Sequence, residues 1–198
     1  MCIHRAFPTG RARLLAFAAA FAVVVSGWLA AQANAFVYWG NDTDTIGRSN
    51  LDGSGVNQSF ITTPVYGVAV DGQYAYWTNA YSSAIERVNL DGTGVNQSFI
   101  TGASGPNGVA VDGQHVYWTN FSSHTIGRAN LDGTGVNQSF ITGASYPAGV
   151  AVNGLHVYWT NFGFAPGTIG RSNLDGTGVN QSFITGASGP DGIAVDSR

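Results

Sequence analysis

Residues 89–104 read NLDGTGVNQSFITGAS, and the same string recurs unchanged at residues 130–145 and 173–188. A fourth, drifted copy, NLDGSGVNQSFITTPV, occupies residues 50–65. Such internal repetition means that one structural unit is stacked several times along the chain. The fold therefore has to be argued from the unit and from its contacts with its own copies.

Tryptophans set the length of the unit. Trp77, Trp118 and Trp159 are 41 residues apart, and Trp39 precedes Trp77 by 38. The first copy is shorter because it lacks two residues before Gly67 and one residue soon after Trp39. The chain thus carries four tandem units.

Each unit contains four short segments that are typical of β-strands. In the third copy they are GVAVD (108–112), VYWTN (116–120), TIGRANL (125–131) and QSFIT (138–142). They are rich in β-branched and aromatic residues, which favour strands. Asp-Gly dipeptides such as Asp132-Gly133 lie between them and suit tight turns, where glycine accepts a positive φ.

Four strands in about 41 residues predict one blade of a β-propeller. A lone four-stranded sheet cannot bury both faces, whereas sheets stacked around an axis cover one another. We therefore predict an all-β protein, a four-bladed propeller over residues 36–198. The alternative is a β-solenoid, although solenoid coils usually repeat at shorter periods.

The second strand carries a motif, Tyr-Trp-Thr-Asn, at residues 76–79, 117–120 and 158–161. The motif resembles the YWTD sequence of low-density lipoprotein receptor class B repeats. IGRANLDG (126–133) and PNGVAVD (106–112) resemble two further segments of that family. The resemblance covers nearly all of residues 36–198 and implies a propeller that recognises other proteins.

The sequence departs from the family pattern in three ways. Asparagine replaces the family's aspartate at Asn79, Asn120 and Asn161, so a charge is lost while hydrogen bonding is kept. The first copy reads YWGN at residues 38–41 and lacks the threonine as well. Family propellers usually have six blades, and four repeats are present here.

Counting strands raises the question of how a ring would close. From residue 36 onward the first strand met is the second of a unit, and residues 192–196 (GIAVD) read as the first strand of a unit. This last strand could complete a blade shared with the first three. Three outcomes are expected: a closed four-bladed ring, an open arc, or a larger ring formed by a homodimer.

Residues 1–35 resemble a secretory signal peptide. A basic start precedes the apolar run LLAFAAAFAVVV (14–25), and the small-x-small sequence Ala33-Asn34-Ala35 follows. We predict cleavage after Ala35 and a secreted, extracytoplasmic protein. An uncleaved N-terminal anchor is the alternative, but the run is short for a span of about 20 residues.

Composition excludes several classes of function for residues 36–198. The chain has no lysine, and five arginines face eleven acidic residues in this part, so the net charge is about −6 by count. Such a surface is unsuited to nucleic acid or to an anionic membrane. The only cysteine, Cys2, lies in the leader, so disulfides are not expected to stabilise the propeller.

The copies differ mainly in two sets of loops: those between the second and third strands, and those that lead into the first strand. In an up-and-down sheet both sets lie at the same end, so variation concentrates on one rim. Binding residues usually lie on loops held by a rigid scaffold. The predicted ligand-binding residues on this rim are Tyr66, Tyr81, Phe121, His124, Tyr146, Phe162 and Phe164. Neutral drift of exposed loops is the competing explanation.

No metal site is predicted, because residues 36–198 hold three histidines and the single glutamate Glu86 without a ligand motif. His115 and His156 occupy equivalent positions and are expected at strand edges, while His124 falls in a variable loop. No catalytic residue and no cofactor are predicted.

Two charged residues recur once per unit. Arg48, Arg87, Arg128 and Arg171 are expected to pack between blades, the alternative being a ring of charge for an anion. Asp52, Asp91, Asp132 and Asp175 are expected to be turn residues, because the further ligands of a calcium loop are missing.

The sequence thus favours a secreted, non-enzymatic binding or scaffold propeller that recognises an extracellular protein or glycan through one loop rim. The alternative is a propeller enzyme of the lactonase or streptogramin-lyase type with a central site. A purely structural role at the cell surface is a third possibility.

Overall fold

The structure, a computed structural model, describes residues 35–163 and 166–196. Residues 1–34 of the predicted signal peptide lie outside these ranges, whereas Ala35 and the strand that follows it are described. Within them, no helix is long and apolar enough to cross a membrane.

The described residues form fifteen β-strands. In chain order they are β1 (Phe36–Asn41), β2 (Thr45–Asn50), β3 (Asn57–Thr62), β4 (Val68–Val70), β5 (Tyr74–Asn79), β6 (Ala84–Asn89), β7 (Asn96–Thr101), β8 (Pro106–Val111), β9 (His115–Asn120), β10 (Thr125–Asn130), β11 (Asn137–Thr142), β12 (Pro147–Val152), β13 (His156–Asn161), β14 (Gly167–Asn173) and β15 (Asn180–Ala187).

The strands form four antiparallel sheets in simple up-and-down order, which we call blades 1 to 4. Blade 1 contains β1–β3, and blades 2, 3 and 4 contain β4–β7, β8–β11 and β12–β15. The predicted all-β propeller architecture with one blade per repeat is confirmed. In blade 2 the strand β4 is only three residues long, since this copy lacks two residues before Gly67.

The core lies between consecutive blades. At the joint of blades 2 and 3, Ile85 and Ile100 pack against Val116 and Trp118, and all four side chains are buried. Equivalent clusters join blade 1 to blade 2 and blade 3 to blade 4. Full burial of each such side chain contributes about 1.5–3 kcal/mol, so the joints supply much of the folding free energy.

An arginine crosses each of these joints. Nη1 of Arg48, Arg87 and Arg128 donates to the carbonyl of Leu90, Leu131 and Leu174 in the next blade, at 2.6, 2.8 and 2.8 Å. The guanidinium also lies over an aromatic ring of its own blade, at 4.0 Å for Arg87 over Phe99. The predicted packing role is confirmed for these three arginines.

The threonine of the Tyr-Trp-Thr-Asn motif also joins neighbouring blades. Thr119 Oγ1 donates to the carbonyl of Ala148 in the next blade at 2.8 Å and accepts from the amide of Gly108 at 2.8 Å. One hydroxyl therefore fixes the spacing of two adjacent inner strands. Blade 1 has Gly40 at this position and lacks the bond.

The asparagine of the motif uses both its donor and its acceptor. Asn120 Nδ2 donates to the carbonyl of Gln138 at 2.9 Å and to Thr125 Oγ1 at 3.1 Å. Its Oδ1 accepts from the amide of Ser104 at 2.9 Å. An ionised aspartate could not donate to the Gln138 carbonyl, which explains the departure from the family's aspartate.

The predicted last strand differs from expectation. Residues 191–196 form no strand, and β1 pairs only with β2 among the described residues, so blade 1 has three strands rather than four. The segment instead lies beside β12, where Ile193 Cγ2 would be 3.2 Å from a Cβ on Gly149 and the Asp191 carbonyl accepts from Thr160. No sheet joins blade 4 to blade 1 among the described residues, so the four repeats form an open arc there.

A glycine in three third strands makes room for the motif tryptophan. A Cβ on Gly127 would collide with the indole of Trp118, whose Nε1 donates to Gln138 Oε1 at 3.0 Å. We expect Gly127→Ala to lower the free energy of unfolding by about 1–3 kcal/mol, because the indole must leave its position. Urea denaturation followed by tryptophan fluorescence measures the change.

The matched control is Gly113→Ala, since no atom lies within 4 Å of a Cβ built there. It should change stability by less than about 0.5 kcal/mol. Equal stability of the two variants would refute the packing role of Gly127.

Candidate functional site

The two sets of variable loops meet at one end of the blades. The amides of Phe121 and Ser122, in the β9–β10 loop, donate to the carbonyls of Gly105 and Ser104, which lead into β8. In blade 4 the amide of Phe162 donates in the same way to the Tyr146 carbonyl, at 3.2 Å. The prediction that the variable loops share one rim is confirmed.

Predicted site residues come together on this rim in two groups. The rings of Phe121 and Tyr146 have centroids 5.3 Å apart, and those of His124 and Tyr146 are 4.3 Å apart in an edge-to-face arrangement. Further along, Tyr66 and Tyr81 are 6.5 Å apart. The Tyr81 phenol raises the pKa of Tyr66 above its usual value by electrostatic repulsion.

A chain of clefts connects the two groups. Phe121, Tyr146 and Phe162 line an apolar cleft of about 240 Å³. Phe121 also borders a second cleft that ends at Tyr66, and Tyr66 borders a third of about 370 Å³ with Tyr81. We call this surface, with its five aromatic residues Tyr66, Tyr81, Phe121, Tyr146 and Phe162, the aromatic groove.

Acidic and amide groups lie at one end of the groove. Asn41, Asp42 and Asp44 line the third cleft beside the two tyrosines, whereas the cleft at Phe162 is almost wholly apolar. The groove therefore offers ring faces along its length and hydrogen-bond acceptors at one end. Of the predicted site residues, Phe164 lies outside the described part of the chain.

Tyr146 has an unusual backbone conformation. Its φ is 49°, whereas the equivalent residues of the neighbouring copies are Gly105 and Gly189, with φ of 59° and 56°. A left-handed conformation costs a bulky residue about 1 kcal/mol or more, which glycine avoids. Such strain is typical of functional positions, so the tyrosine has a candidate role that glycine could not perform.

One polar cluster below the rim was not foreseen from the sequence. Glu86, which is 1% exposed, accepts from Asn79 Nδ2 and Ser82 Oγ at 2.9 Å each and from Thr63 Oγ1 at 3.2 Å. Both oxygens of this carboxylate therefore accept hydrogen bonds inside the fold. The residue two positions before it also differs from the other copies, since Ala84 replaces a threonine.

Blade 3 provides a different acceptor for the asparagine of the motif. Where blade 2 has Ala84 and Glu86, blade 3 has Thr125 and Gly127, and Asn120 donates to the threonine instead of to a carboxylate. Trp77 adapts to the larger residue and donates to Thr63 Oγ1 at 3.3 Å. The paired exchange is visible in the aligned repeats, but the repeats do not name Asn79 as the partner of Glu86.

The histidines do not form a common site. His115 begins β9 and His124 lies in the loop beyond the other end of that strand. The length of the strand, about 16 Å, therefore separates the two ends of the blade on which these histidines lie. His115 and His156 are the first residues of β9 and β13, and their rings lie 5.9 Å from those of Tyr117 and Tyr158 in a tilted arrangement. Among the described residues no group of three or more His, Cys, Asp or Glu side chains is placed to hold a metal ion.

The repeated aspartates close the turns at the opposite end. Asp132 Oδ1 accepts from the amide and the hydroxyl of Thr134 at 2.8 and 2.6 Å, and the same turn recurs at Asp52, Asp91 and Asp175. The hydroxyl bond holds the pKa of Asp132 below its usual value. The prediction that these are turn residues is confirmed.

No family model and no curated protein matches the chain. Solved structures do. A nidogen/laminin complex matches at 27% identity and a TM-score of 0.62, over 73% of this chain and 59% of that one. A virginiamycin B lyase from Staphylococcus aureus matches at 23% identity and a TM-score of 0.63, over 82% of this chain and 57% of that one. A gluconolactonase from Xanthomonas campestris matches at 17% identity and a TM-score of 0.65, over 83% of this chain and 64% of that one.

The nidogen match agrees with the repeated Tyr-Trp-Thr-Asn strands and with the four antiparallel blades. The fold is a YWTD-type β-propeller. This chain spans less than two thirds of the length of each of the three matched structures. The lyase and the lactonase, both below 25% identity, share the fold alone.

Within this YWTD-type propeller, the Ala84/Glu86 pair can be tested by a double-mutant cycle. Glu86→Gly alone should cost about 1–3 kcal/mol, because the buried donors on Asn79 and Thr63 lose their acceptor. The double variant Ala84→Thr/Glu86→Gly restores the arrangement of blade 3 and should recover at least half of that loss. Chemical denaturation measures all four stabilities.

Ala84→Thr alone completes the cycle and should not stabilise the protein, since Glu86 still occupies the site. Strictly additive effects of the two substitutions would show that the residues do not substitute for the Thr/Gly pair.

Proposed function

We propose that the protein is a secreted, non-enzymatic propeller that binds a protein or glycan through the aromatic groove. The observation that carries the proposal is Tyr146, an aromatic residue with positive φ at a position where the sister repeats have glycine. Its ring contacts both Phe121 and His124, so the strain is coupled to the most aromatic part of the rim.

The chemistry of the groove suits an extended ligand. Exposed aromatic faces bind the apolar faces of sugar rings and the side chains of peptides, and tyrosine is enriched at protein interfaces. Asp42 and Asp44 at one end add acceptors for hydroxyl or amide donors. A ligand with apolar faces and one donor-rich end matches this layout.

The likeness to the nidogen/laminin complex supports the protein-ligand form of the proposal, since that propeller is described in a complex with laminin. The alternative function, a lactonase or streptogramin lyase with a central site, has the shared fold in its support. The three histidines lie at opposite ends of the blades, and this geometry favours the binding function over a histidine-led centre.

Export forms part of the proposal and has its own test. Expression in a bacterial host with an intact general secretion route should give an extracytoplasmic protein that begins at Phe36. Intact-mass spectrometry of the exported product measures the cut. A product that keeps residues 1–35 would support the uncleaved anchor instead.

Binding should depend on the groove. The purified protein is applied to a glycan microarray and to a displayed library of random peptides, and ligands found there are remeasured by calorimetry. Phe121→Ala and Tyr146→Gly should each weaken binding about tenfold or more, as expected for buried aromatic contacts. Tyr146→Gly should leave stability unchanged or higher, because glycine relieves the positive φ.

Leu155→Ala is the matched control, since Leu155 is 70% exposed on the turn at the opposite end of blade 4. It should bind as well as the unaltered protein. A chain that binds neither panel, or groove variants that bind with full affinity, would contradict the proposal.

A further inference from the structure

The last blade has a face built like a joint that is not covered. Ile184 is 51% exposed, although its equivalent Ile141 in blade 3 is 1% exposed beneath blade 4. Tyr158 and Ile169 are only half-buried, whereas Tyr117 and Ile126 are fully buried. We call the surface made by Tyr158, Ile169, Phe183 and Ile184 the blade-4 face.

Blade 1 shows the complementary surface. Val37 is 47% exposed and Leu51 is 69% exposed, while Val157, the equivalent of Val37 in blade 4, is fully buried in the joint with blade 3. We call the surface made by Val37, Trp39 and Leu51 the blade-1 face. At each internal joint, residues equivalent to this face cover residues equivalent to the blade-4 face.

Two buried polar atoms without a partner lie at these same two ends. Arg171 has no bond to a leucine carbonyl among the described residues, and its Nε is buried without a partner. Tyr38 Oη is likewise buried and unpaired, whereas Tyr76 donates to Asp71 at 2.8 Å and Tyr117 donates to Asp112 at 3.1 Å. An unsatisfied buried group is costly, so both atoms point to contacts that this arc does not make by itself.

The segment 191–196 lies in the position that the first strand of a next blade would occupy. Thr160 donates to the Asp191 carbonyl at 2.9 Å, just as Thr119 donates to the Ala148 carbonyl at the previous joint. The segment therefore lies where the inner strand of a following blade would lie, and no further strand of the described residues pairs with it. Blade 1 has the other three strands of a blade, and among the described residues the outer edge of its β1 is unpaired.

We propose that blade 1 of a second copy docks on the blade-4 face and pairs its β1 with residues 192–196, head to tail, so that two copies close one ring. The contact is strand addition at a sheet edge combined with burial of the two faces. It is heterologous, and each ring of two copies contains it twice. The inference does not depend on the proposed function of the rim.

The pairing of the first two strands inside blade 2 defines the register. Val68 and Val70 pair with Trp77 and Ala75. By the same pattern Ile193 pairs with Trp39 of the second copy, and Val195 pairs with Val37. Asp196 then faces Tyr38, as Asp71 faces Tyr76.

The same register places Arg171 at the carbonyl of Leu51 of the second copy, as Arg128 lies at that of Leu174. Tyr38 Oη thus meets an acceptor in the Asp196 carboxylate, and the Arg171 guanidinium gains an acceptor for Nη1, the atom that donates in Arg128.

Cysteine cross-linking tests the pairing. The variant Val37→Cys/Val195→Cys is made in the full-length chain with Cys2→Ser, so that no other thiol is present. Oxidation should give a covalent dimer on a non-reducing gel, with a mass of two chains by light scattering before and after oxidation. The control Val111→Cys/Val116→Cys, a register pair inside blade 3, should give an intramolecular disulfide.

Three outcomes would overturn the proposal. An intramolecular disulfide between positions 37 and 195 of one monomer would mean closure of four blades within one chain. A failure to oxidise, while the control pair does, would mean that the faces are not joined. A ladder of higher oligomers would exclude the ring of two.

Complementation separates docking from misfolding. Ile184→Asp disables the blade-4 face and Val37→Asp disables the blade-1 face, so each variant alone should be a folded monomer by circular dichroism and light scattering. Mixed in equal amounts, they should form a complex of two chains through the remaining intact pair of faces. Val136→Asp, at an exposed turn of the internal blade 3, should behave like the unaltered chain. Failure of the mixture to associate would overturn the head-to-tail arrangement.

Discussion

Blades 1 to 3 each depend on the next blade for the burial of one face. The interaction that enforces this is the joint in which Trp118 and Val116 of one blade cover Ile85 and Ile100 of the preceding one. A single four-stranded sheet leaves such residues in water, and apolar burial is the main favourable term in folding. The repeated apolar residues of the strands follow, because each internal copy has to present both surfaces of the same joint.

Much of the fold could be predicted from the sequence because the joint is local and periodic. The tryptophan spacing predicted the blades, and the repeated turn chemistry of Asp132 predicted the hairpin ends. The packing role of Arg128 was also accessible, since the residue recurs once per unit. The prediction of the last strand was wrong, because strand pairing depends on the position of a neighbouring strand in space, and no strand of the described chain pairs with residues 192–196.

The candidate site was only partly predictable from the sequence, because its contacts also depend on where residues lie in space. Loop variation located the rim, and Phe121, His124 and Tyr146 do lie together there. The strain at Tyr146 could not be read from its sequence alone, since φ is a property of the folded loop. The contact between Glu86 and Asn79 was hidden because a carboxylate in one blade replaces a hydroxyl that is two residues away in its sisters.

The Asn79 and Asn120 sites show how the scaffold tolerates change without losing its geometry. Both asparagines keep a donor bond below the rim, one to a carboxylate and one to a hydroxyl and a carbonyl. An amide can serve either acceptor, whereas an aspartate would repel Glu86 and could not donate to the Gln138 carbonyl. Because the joint and this bond are held by residues below the rim, the loops above are free to differ. A strained side chain such as Tyr146 can persist there only because the surrounding blades over-determine its backbone. The joint residues therefore recur in each repeat because they hold the scaffold, and the rim loops differ because they do not.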